Sequence, residues 1–225
     1  MIKAVLFDLF ETLITESRGN PSRASRLGET LGLDQEAFRA AWKARRPRVV
    51  LGQLSFVEAL TEISTALTGT SDAAAIRRIC DQRIQEKAAA YAHIDEEVTA
   101  LVADLRGRGV ALAVVSNCFE EDVLEWSACA LAREFQCALF SFAEGVAKPD
   151  PEIYRRATRR LGVDPARALF VGDGGDNELA GAEGAGLRAC HARWFISNRF
   201  RDPSPDAPAR GCRGREDVLQ LVDTG

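Results

Sequence analysis

Residues 2–13 constrain this chain more than any other stretch. Ile2-Lys3-Ala4-Val5-Leu6-Phe7 is an almost unbroken apolar run, and it ends abruptly in Asp8-Leu9-Phe10-Glu11-Thr12-Leu13. A short run rich in β-branched and aromatic residues reads as a strand buried on both faces of a parallel sheet. Its last residues then lie at the carboxyl edge of the sheet, where open α/β folds place their ligands. An aspartate there faces a crevice and is backed by apolar structure, which suits a nucleophilic carboxylate.

After Thr12 the period changes from strand to helix. A helix is predicted from Pro21 to Leu33, after a Ser-Arg-Gly-Asn turn. Asp34 is placed to cap the next one, which carries Phe38, Ala41 and Trp42. Ser55 and Glu58 form a capping box ahead of Val57, Leu60, Ile63 and Leu67. Another helix runs from Asp72 toward Tyr91. No strand pattern interrupts this region, which is too long for a single crossover. It reads as a helical insert over residues 15–92, with residues 1–14 and 93–225 as the core.

From Asp95 onward strands and helices alternate. Val98, Leu101, Val102 and Leu105 form a helix stripe that stops at Gly107 and Gly109. Val110 to Val115 is a second buried strand with Ser116-Asn117 at its end. A helix is predicted from Glu120 to Ala130 and a third strand from Cys137 to Ser141. Asp150, Pro151 and Gly162 bracket a helix that begins just after Lys148. Ala168 to Val171 is a fourth strand, ending in Gly172-Asp173-Gly174-Gly175-Asp176-Asn177-Glu178. A helix with Leu179, Ala182 and Ala185 follows, then a strand at Leu187–His191, an exposed loop over 201–214 and a last helix at Glu216–Val222. The pattern predicts an α/β, Rossmann-like parallel sheet with helices on both faces and an inserted all-helical domain. Asp8, Ser116, Lys148 and Asp173 each follow a strand or open the helix beyond one, so they can converge on one sheet edge.

Charge and cysteine usage narrow the partners. The formal net charge is −4 with no long block of one sign, which points away from nucleic acid and anionic membranes. Arg155, Arg156, Arg159 and Arg160 lie opposite Ile153, Ala157 and Leu161 and read as a solvated helix face. No apolar stretch reaches the ~18 residues of a membrane span, and acids follow the first apolar run too soon for a signal peptide. The six cysteines are scattered without C-x-x-C spacing, which predicts reduced thiols in a cytoplasmic protein. The glycines after the fourth strand lack G-x-G-x-x-G spacing, so a dinucleotide loop is rejected.

Four segments carry a resemblance. Phe7-Asp-Leu-Phe-Glu-Thr-Leu13, Val115-Ser-Asn117, Ala147-Lys-Pro-Asp-Pro-Glu-Ile-Tyr154 and Val171-Gly-Asp173 with Leu179-Ala-Gly-Ala182 resemble, in order, the four motifs of the haloacid dehalogenase-like hydrolase superfamily. The resemblance spans residue 2 to about residue 194. The insert resembles the helical cap of its phosphoglycolate phosphatase and 2-haloacid dehalogenase branch. It implies a hydrolase of a small organic phosphate, with Asp8 as the nucleophile forming an aspartyl intermediate. Asp8, the backbone carbonyl of Phe10, Asp173 and Glu178 resemble the surroundings of the family's Mg²⁺, an all-oxygen set that suits a hard cation. By the same resemblance Ser116 donates to the phosphate, Lys148 supplies fixed positive charge and Thr12 steadies the first loop. Phe10 and Asn117 then face the substrate, and Trp42, Lys43, Arg45, Arg46 and Arg48 are candidates for closing over an anion.

Two positions depart from the phosphatase pattern. Phe10 stands where those enzymes usually carry a second aspartate as general acid, a group worth ~10²–10⁴-fold in rate. Glu11 is adjacent, but neighbouring residues on an extended turn point different ways. Glu178 is one methylene longer than the usual acid, with Asp176 and Asn177 beside it. An aromatic residue at the Phe10 position resembles the metal-free 2-haloacid dehalogenases, yet their fourth motif lacks Gly172-Asp173. Three acids clustered without a cation would repel one another. The reading is therefore a Mg²⁺-dependent phosphatase, with a metal-free dehalogenase or a non-catalytic ligand-binding protein as alternatives. Neither the substrate nor the oligomeric state is specified by these residues.

Overall fold

The computed structural model describes residues 1–16, 27–195 and 210–224. Strand β1 spans Ala4–Phe7, β2 Ala111–Ser116, β3 Cys137–Phe140, β4 Ala168–Gly172, β5 Arg188–Ala192 and β6 Arg210–Cys212. They form one sheet in the order β3-β2-β1-β4-β5-β6, with every neighbouring pair parallel. The chain starts in the middle and adds strands first on one side and then on the other. The carboxyl end of β1 is therefore the point where the winding reverses, the place where open α/β folds bind their ligands.

Side-chain alternation assigns the two faces of the sheet. Val5 and Phe7 of β1, with Leu112 and Val114 of β2, pack against α5 (Glu96–Gly107) and α9 (Arg215–Thr224). Ala4, Leu6, Ala113 and Phe170 face α7 (Pro151–Leu161) and α8 (Glu178–Gly184), which follow the one-turn α6 (Ser141–Glu144). All four β1 residues are fully buried, as an apolar run with helices on both faces requires. The fold is thus α/β and Rossmann-like.

Between the turn after β1 and α5 the described chain is helical apart from short connections: α1 (Leu27–Thr30), α2 (Gln35–Val50), α3 (Phe56–Thr68) and α4 (Ala73–Tyr91). Asp34 caps α2 by accepting from the Ala37 N–H, and Ser55 with Glu58 closes a complete capping box on α3. Asp72 accepts from the N–H groups of Ala74 and Ala75 at the start of α4. Phe38, Val50, Phe56, Leu60, Ile63, Ile76 and Ile79 form a hydrophobic cluster of their own. Phe119, from the loop after β2, stacks on Phe56 in that cluster and joins it to the sheet.

Several expectations need correction. The helix predicted from Pro21 is described only from Leu27; its first part lies outside the described residues. The stretch Glu120–Ala130 is a series of short 3₁₀ turns instead of one helix. Asp122 turns inward there, accepts from the Phe119 N–H and meets Arg83, which tightens the chain. The loop expected over 201–214 ends in a strand, β6, too short to show a period, and 201–209 lie outside the described residues. The cysteines are also not all reduced. Cys190 and Cys212 form a disulfide, because parallel pairing of β5 with β6 brings their Cα atoms to 6.3 Å across 22 residues of sequence. Cys80, Cys118, Cys129 and Cys137 are free. No described helix is long and apolar enough to cross a membrane.

Candidate active site

The cluster at the end of β1 is built around Asp8, which is 6% exposed. Its N–H bonds the Val171 carbonyl of β4 at 2.9 Å, so the residue is fixed before the chain turns. The turn is tight: Leu13 and Ile14 both donate to the Leu9 carbonyl, and Glu11 takes a left-handed φ of 57°. A non-glycine residue in that conformation is held there by its surroundings. Fully buried Thr12 is brought back over the site, where its hydroxyl donates to Asp8 Oδ2 at 3.5 Å. The Thr12 carbonyl accepts from Trp194 Nε1.

Lys148, just before α7, supplies the cation. Its Nζ lies 2.5 Å from Asp8 Oδ1 and 2.5 Å from Glu178 Oε2, with all three side chains buried. Burial alone would lower the Lys148 pKa, but Asp8 and Glu178 more than offset it and hold the ammonium charged. Burial raises the Asp8 pKa against the pull of Lys148. It pushes Glu178 up to about 8, again opposed by Lys148 and reinforced by the negative charge of Asp8.

Glu178 begins α8, and its backbone carbonyl accepts from the Tyr154 hydroxyl at 2.7 Å. Its Oε1 accepts from the Gly174 N–H at 3.0 Å. A Cβ on Gly172 would lie 2.1 Å from Glu178 Oε1, so only glycine leaves room for this carboxylate. Gly181 acts similarly on the other side of the helix, where a Cβ would lie 2.4 Å from the Pro149 carbonyl oxygen. Small residues thus bring α8 against the Lys148-Pro149 segment. Asp173 is half-buried; its carbonyl lies 2.8 Å from His191 Nε2 of β5, a contact in which the ring N–H donates.

Ser116 is buried at the carboxyl end of β2, the strand next to β1. Asn117 uses both ends of its amide in the protein: Oδ1 accepts from the Lys148 N–H, and Nδ2 donates to the Lys148 carbonyl and to Asp176 Oδ2. Arg45 is bound to Glu62 and to the Ala41 carbonyl, within the helical region. Arg46 reaches the site loop instead, where its guanidinium meets Asp176. Asp176 and Asn177 both have positive φ, 48° and 57°, which turns the loop back toward α2.

One group could not be read from the sequence. Lys87 of α4 is 8% exposed, and its Nζ lies 3.6 Å from the centroid of the Phe10 ring. Glu16 at 2.8 Å and Asp122 at 3.8 Å hold it there. Tyr91, one helical turn on, meets the same ring edge-on. No local pattern marks a single lysine on an otherwise ordinary helix.

Carboxylate oxygens of Asp8, Asp173 and Glu178 all lie within 4.8 Å of one another. An all-oxygen cluster at that spacing fits a hard divalent cation. It fits poorly a softer ion that prefers sulfur or imidazole.

Comparisons with known proteins bear on the family and the fold. The family model described as haloacid dehalogenase-like hydrolase matches residues 2–186. Phosphoserine phosphatase of Thermus thermophilus is 36% identical over 112 residues, which cover 49% of this chain and 43% of that protein. The chain thus matches under half the length of that relative. Glyceraldehyde 3-phosphate phosphatase of Methanopyrus kandleri is 30% identical over 216 residues, 91% of this chain and 88% of that one. Among solved structures, a 2-haloacid dehalogenase from Pseudomonas syringae pv. Tomato DC3000 superposes with a TM-score of 0.66 at 23% identity, covering 100% of this chain and 99% of the other. At that identity the likeness speaks for the fold alone.

Proposed function

The chain belongs to the haloacid dehalogenase-like hydrolase family, and from that membership we propose that it is a Mg²⁺-dependent phosphatase of a small organic phosphate. The observation that carries the reading is Lys148, held between Asp8 and Glu178 at 2.5 Å from each, with Asp173 alongside. Three acids within 4.8 Å of one another call for a divalent cation, which metal-free dehalogenation would leave without a role and which a phosphatase uses to bring a dianion up to a carboxylate.

In this reading Asp8 attacks phosphorus, the bond to the leaving oxygen breaks, and the phosphoryl group is carried on the Asp8 carboxylate. Water then attacks that phosphorus and releases inorganic phosphate with Asp8 restored. Lys148 stabilises charge on the phosphoryl oxygens, Ser116 donates a hydrogen bond to them, and Thr12 keeps Asp8 in its rotamer. Asp8, the Phe10 carbonyl and Asp173 would hold Mg²⁺, with Glu178 completing the cluster. The bound ion would lower the repulsion between Asp8 and the incoming phosphate. Asn117 orients the Lys148 backbone, and Arg45 braces the helical region. We assign residues 15–92 as a cap over a core of residues 1–14 and 93–225.

Phe10 favours a second reading, metal-free dehalogenation, since displacing halide requires no proton donor. One experiment separates the two. Purified protein is assayed with p-nitrophenyl phosphate, with and without Mg²⁺, and in parallel for halide release from 2-chloropropionate in chelator. Turnover of the ester only with Mg²⁺ supports the phosphatase; halide release in chelator would replace it with the dehalogenase.

A further inference from the structure

We infer that Phe10 and Lys87 form a leaving-group subsite selective for anhydrides of phosphoric acid, such as acyl phosphates, whose leaving group departs as an anion without being protonated. The inference rests on Asp8 being the nucleophile, as proposed above. In-line displacement places the leaving group opposite the attacking oxygen. Phe10 follows Asp8 by two residues on the tight turn after β1, and the leaving group is assigned to that side of the nucleophile, away from Lys148. There the half-buried ring of Phe10 lies under the Lys87 ammonium, with Tyr91 at its edge.

Among the described residues, the groups around this ring offer charge and apolar surface, but no acid aimed at a leaving oxygen. Both carboxylate oxygens of Glu11 fold back on its own turn, accepting from the Thr15 hydroxyl at 3.0 Å and the Glu16 N–H at 2.7 Å. The Tyr91 hydroxyl donates to the Asp122 carbonyl, and burial pushes its pKa up. Asp122 is engaged by Arg83 at 2.6 Å and by the Phe119 N–H. Glu16 and Asp122 grip the Lys87 ammonium, which fixes a buried positive charge over Phe10. An alkoxide cannot leave from such a surface unaided, because it needs a proton in the transition state. A carboxylate or a phosphate can, and the nearby cation stabilises its developing charge. In the first step the Asp8 oxygen–phosphorus bond forms and the phosphorus–anhydride oxygen bond breaks. The electron pair stays on the departing carboxylate or phosphate. Water then cleaves the aspartyl phosphate, and its proton passes to solvent.

The test compares acetyl phosphate with glycerol 2-phosphate at fixed Mg²⁺, each above its buffer blank, for wild type, Lys87→Met, Lys87→Arg and Asp8→Asn. Wild type is expected to show a kcat/KM for acetyl phosphate ~10²-fold or more above that for glycerol 2-phosphate. Lys87→Met should lower the acetyl phosphate value about tenfold and shrink this ratio, while Lys87→Arg keeps most of both. Equal wild-type rates on the two substrates would overturn the inference without using any variant. So would a Lys87→Met protein that loses only glycerol 2-phosphate turnover, since Lys87 would then be the missing acid. A correctly folded Lys87→Met protein with an unchanged ratio would remove Lys87 from the subsite. Acetyl phosphate turnover that survives Asp8→Asn would instead bring down the nucleophile assignment beneath both readings.

Discussion

Arg46 of α2 and Asp176 of the loop after β4 are 130 residues apart in sequence, yet the guanidinium lies 3.1 Å from the carboxylate. The same Asp176 oxygen accepts from Asn117, which in turn grips the backbone of Lys148. Burial works to raise the Asp176 pKa, but the bonds from Asn117 and Arg46 hold it below the usual carboxylate range. One ion pair therefore links the helical region to the segment that carries the buried lysine.

That link is exposed on both sides, so its energetic weight is small, ~0–1 kcal/mol. Arg46→Ala is expected to leave the melting temperature within about 3 °C of wild type. It should raise KM about two- to fivefold with kcat little changed, through a looser approach of α2 to the loop. A fall in kcat with constant KM would mean that Arg46 acts on the transition state instead.

Asp8→Asn removes the proposed nucleophile while keeping the shape of the side chain. Lys148 retains Glu178 as a partner, so the fold should survive. Turnover should drop by at least ~10³-fold, with a circular dichroism spectrum like that of wild type. A variant that keeps more than a few per cent of the rate would rule Asp8 out.

Lys148→Ala leaves Asp8 and Glu178 facing each other in a buried site without their cation. Removing one partner of a buried charge cluster typically costs ~3–5 kcal/mol. For a chain of this size that corresponds to a fall in melting temperature of roughly 6–20 °C, together with loss of activity. The loss of stability should be smaller at acid pH, where the carboxylates can take up protons. An unchanged melting temperature would place Lys148 outside the cluster.

Glu178 makes the metal-free protein pH-sensitive in a defined direction. Its carboxyl ordinarily titrates near 4.5 but is pushed up to about 8 in the fold, chiefly by burial. Between these values the folded state holds a proton that the unfolded chain has released. Stability therefore falls as pH rises across that window. The raised Asp8 pKa acts in the same direction, whereas the raised Lys148 pKa acts only at more alkaline pH. Thermal denaturation in chelator should show a melting temperature that declines from pH 5 to pH 8. Mg²⁺ should restore more of it at pH 8 than at pH 5, since the ion binds the ionised acids. A flat profile in chelator would mean that the cluster stays neutralised without metal.

What could be read in advance follows a physical division. Asp8, Lys148 and Asp173 stood out because each ends a buried run or opens a helix, and such ends converge when the strands are parallel. Local chemistry also marked Ser55 with Glu58, and Asp150 with Pro151, as helix starts. The Arg46–Asp176 pair, the seat of Lys87 on Phe10 and the Cys190–Cys212 bond leave no periodic trace. Each depends on two segments meeting from far apart in the chain, and no local pattern in either segment names its partner. Strand β6 was missed for the same reason: three residues pair with β5 only because the sheet already provides an open edge.

Phe10 and Lys87 together predict what restoring an acid would do. Phe10→Asp is the obvious repair for alkyl phosphates, worth at most ~10²–10⁴-fold. The new carboxylate, however, would sit beneath the Lys87 ammonium, which now lies 3.6 Å from the ring centroid. A cation at that range holds a carboxylate ionised, and an ionised acid has no proton to donate. Phe10→Asp alone should therefore raise glycerol 2-phosphate turnover less than about tenfold. Adding Lys87→Met removes the cation and lets the aspartate carry its proton, so the double variant should exceed Phe10→Asp on this substrate by about tenfold or more. Lys87→Met by itself should give no gain, because no acid is present to be released. The signature is a positive coupling between the two positions on alkyl phosphates, absent on acetyl phosphate. If the effects of the two substitutions simply multiply on both substrates, Lys87 does not control the protonation of residue 10.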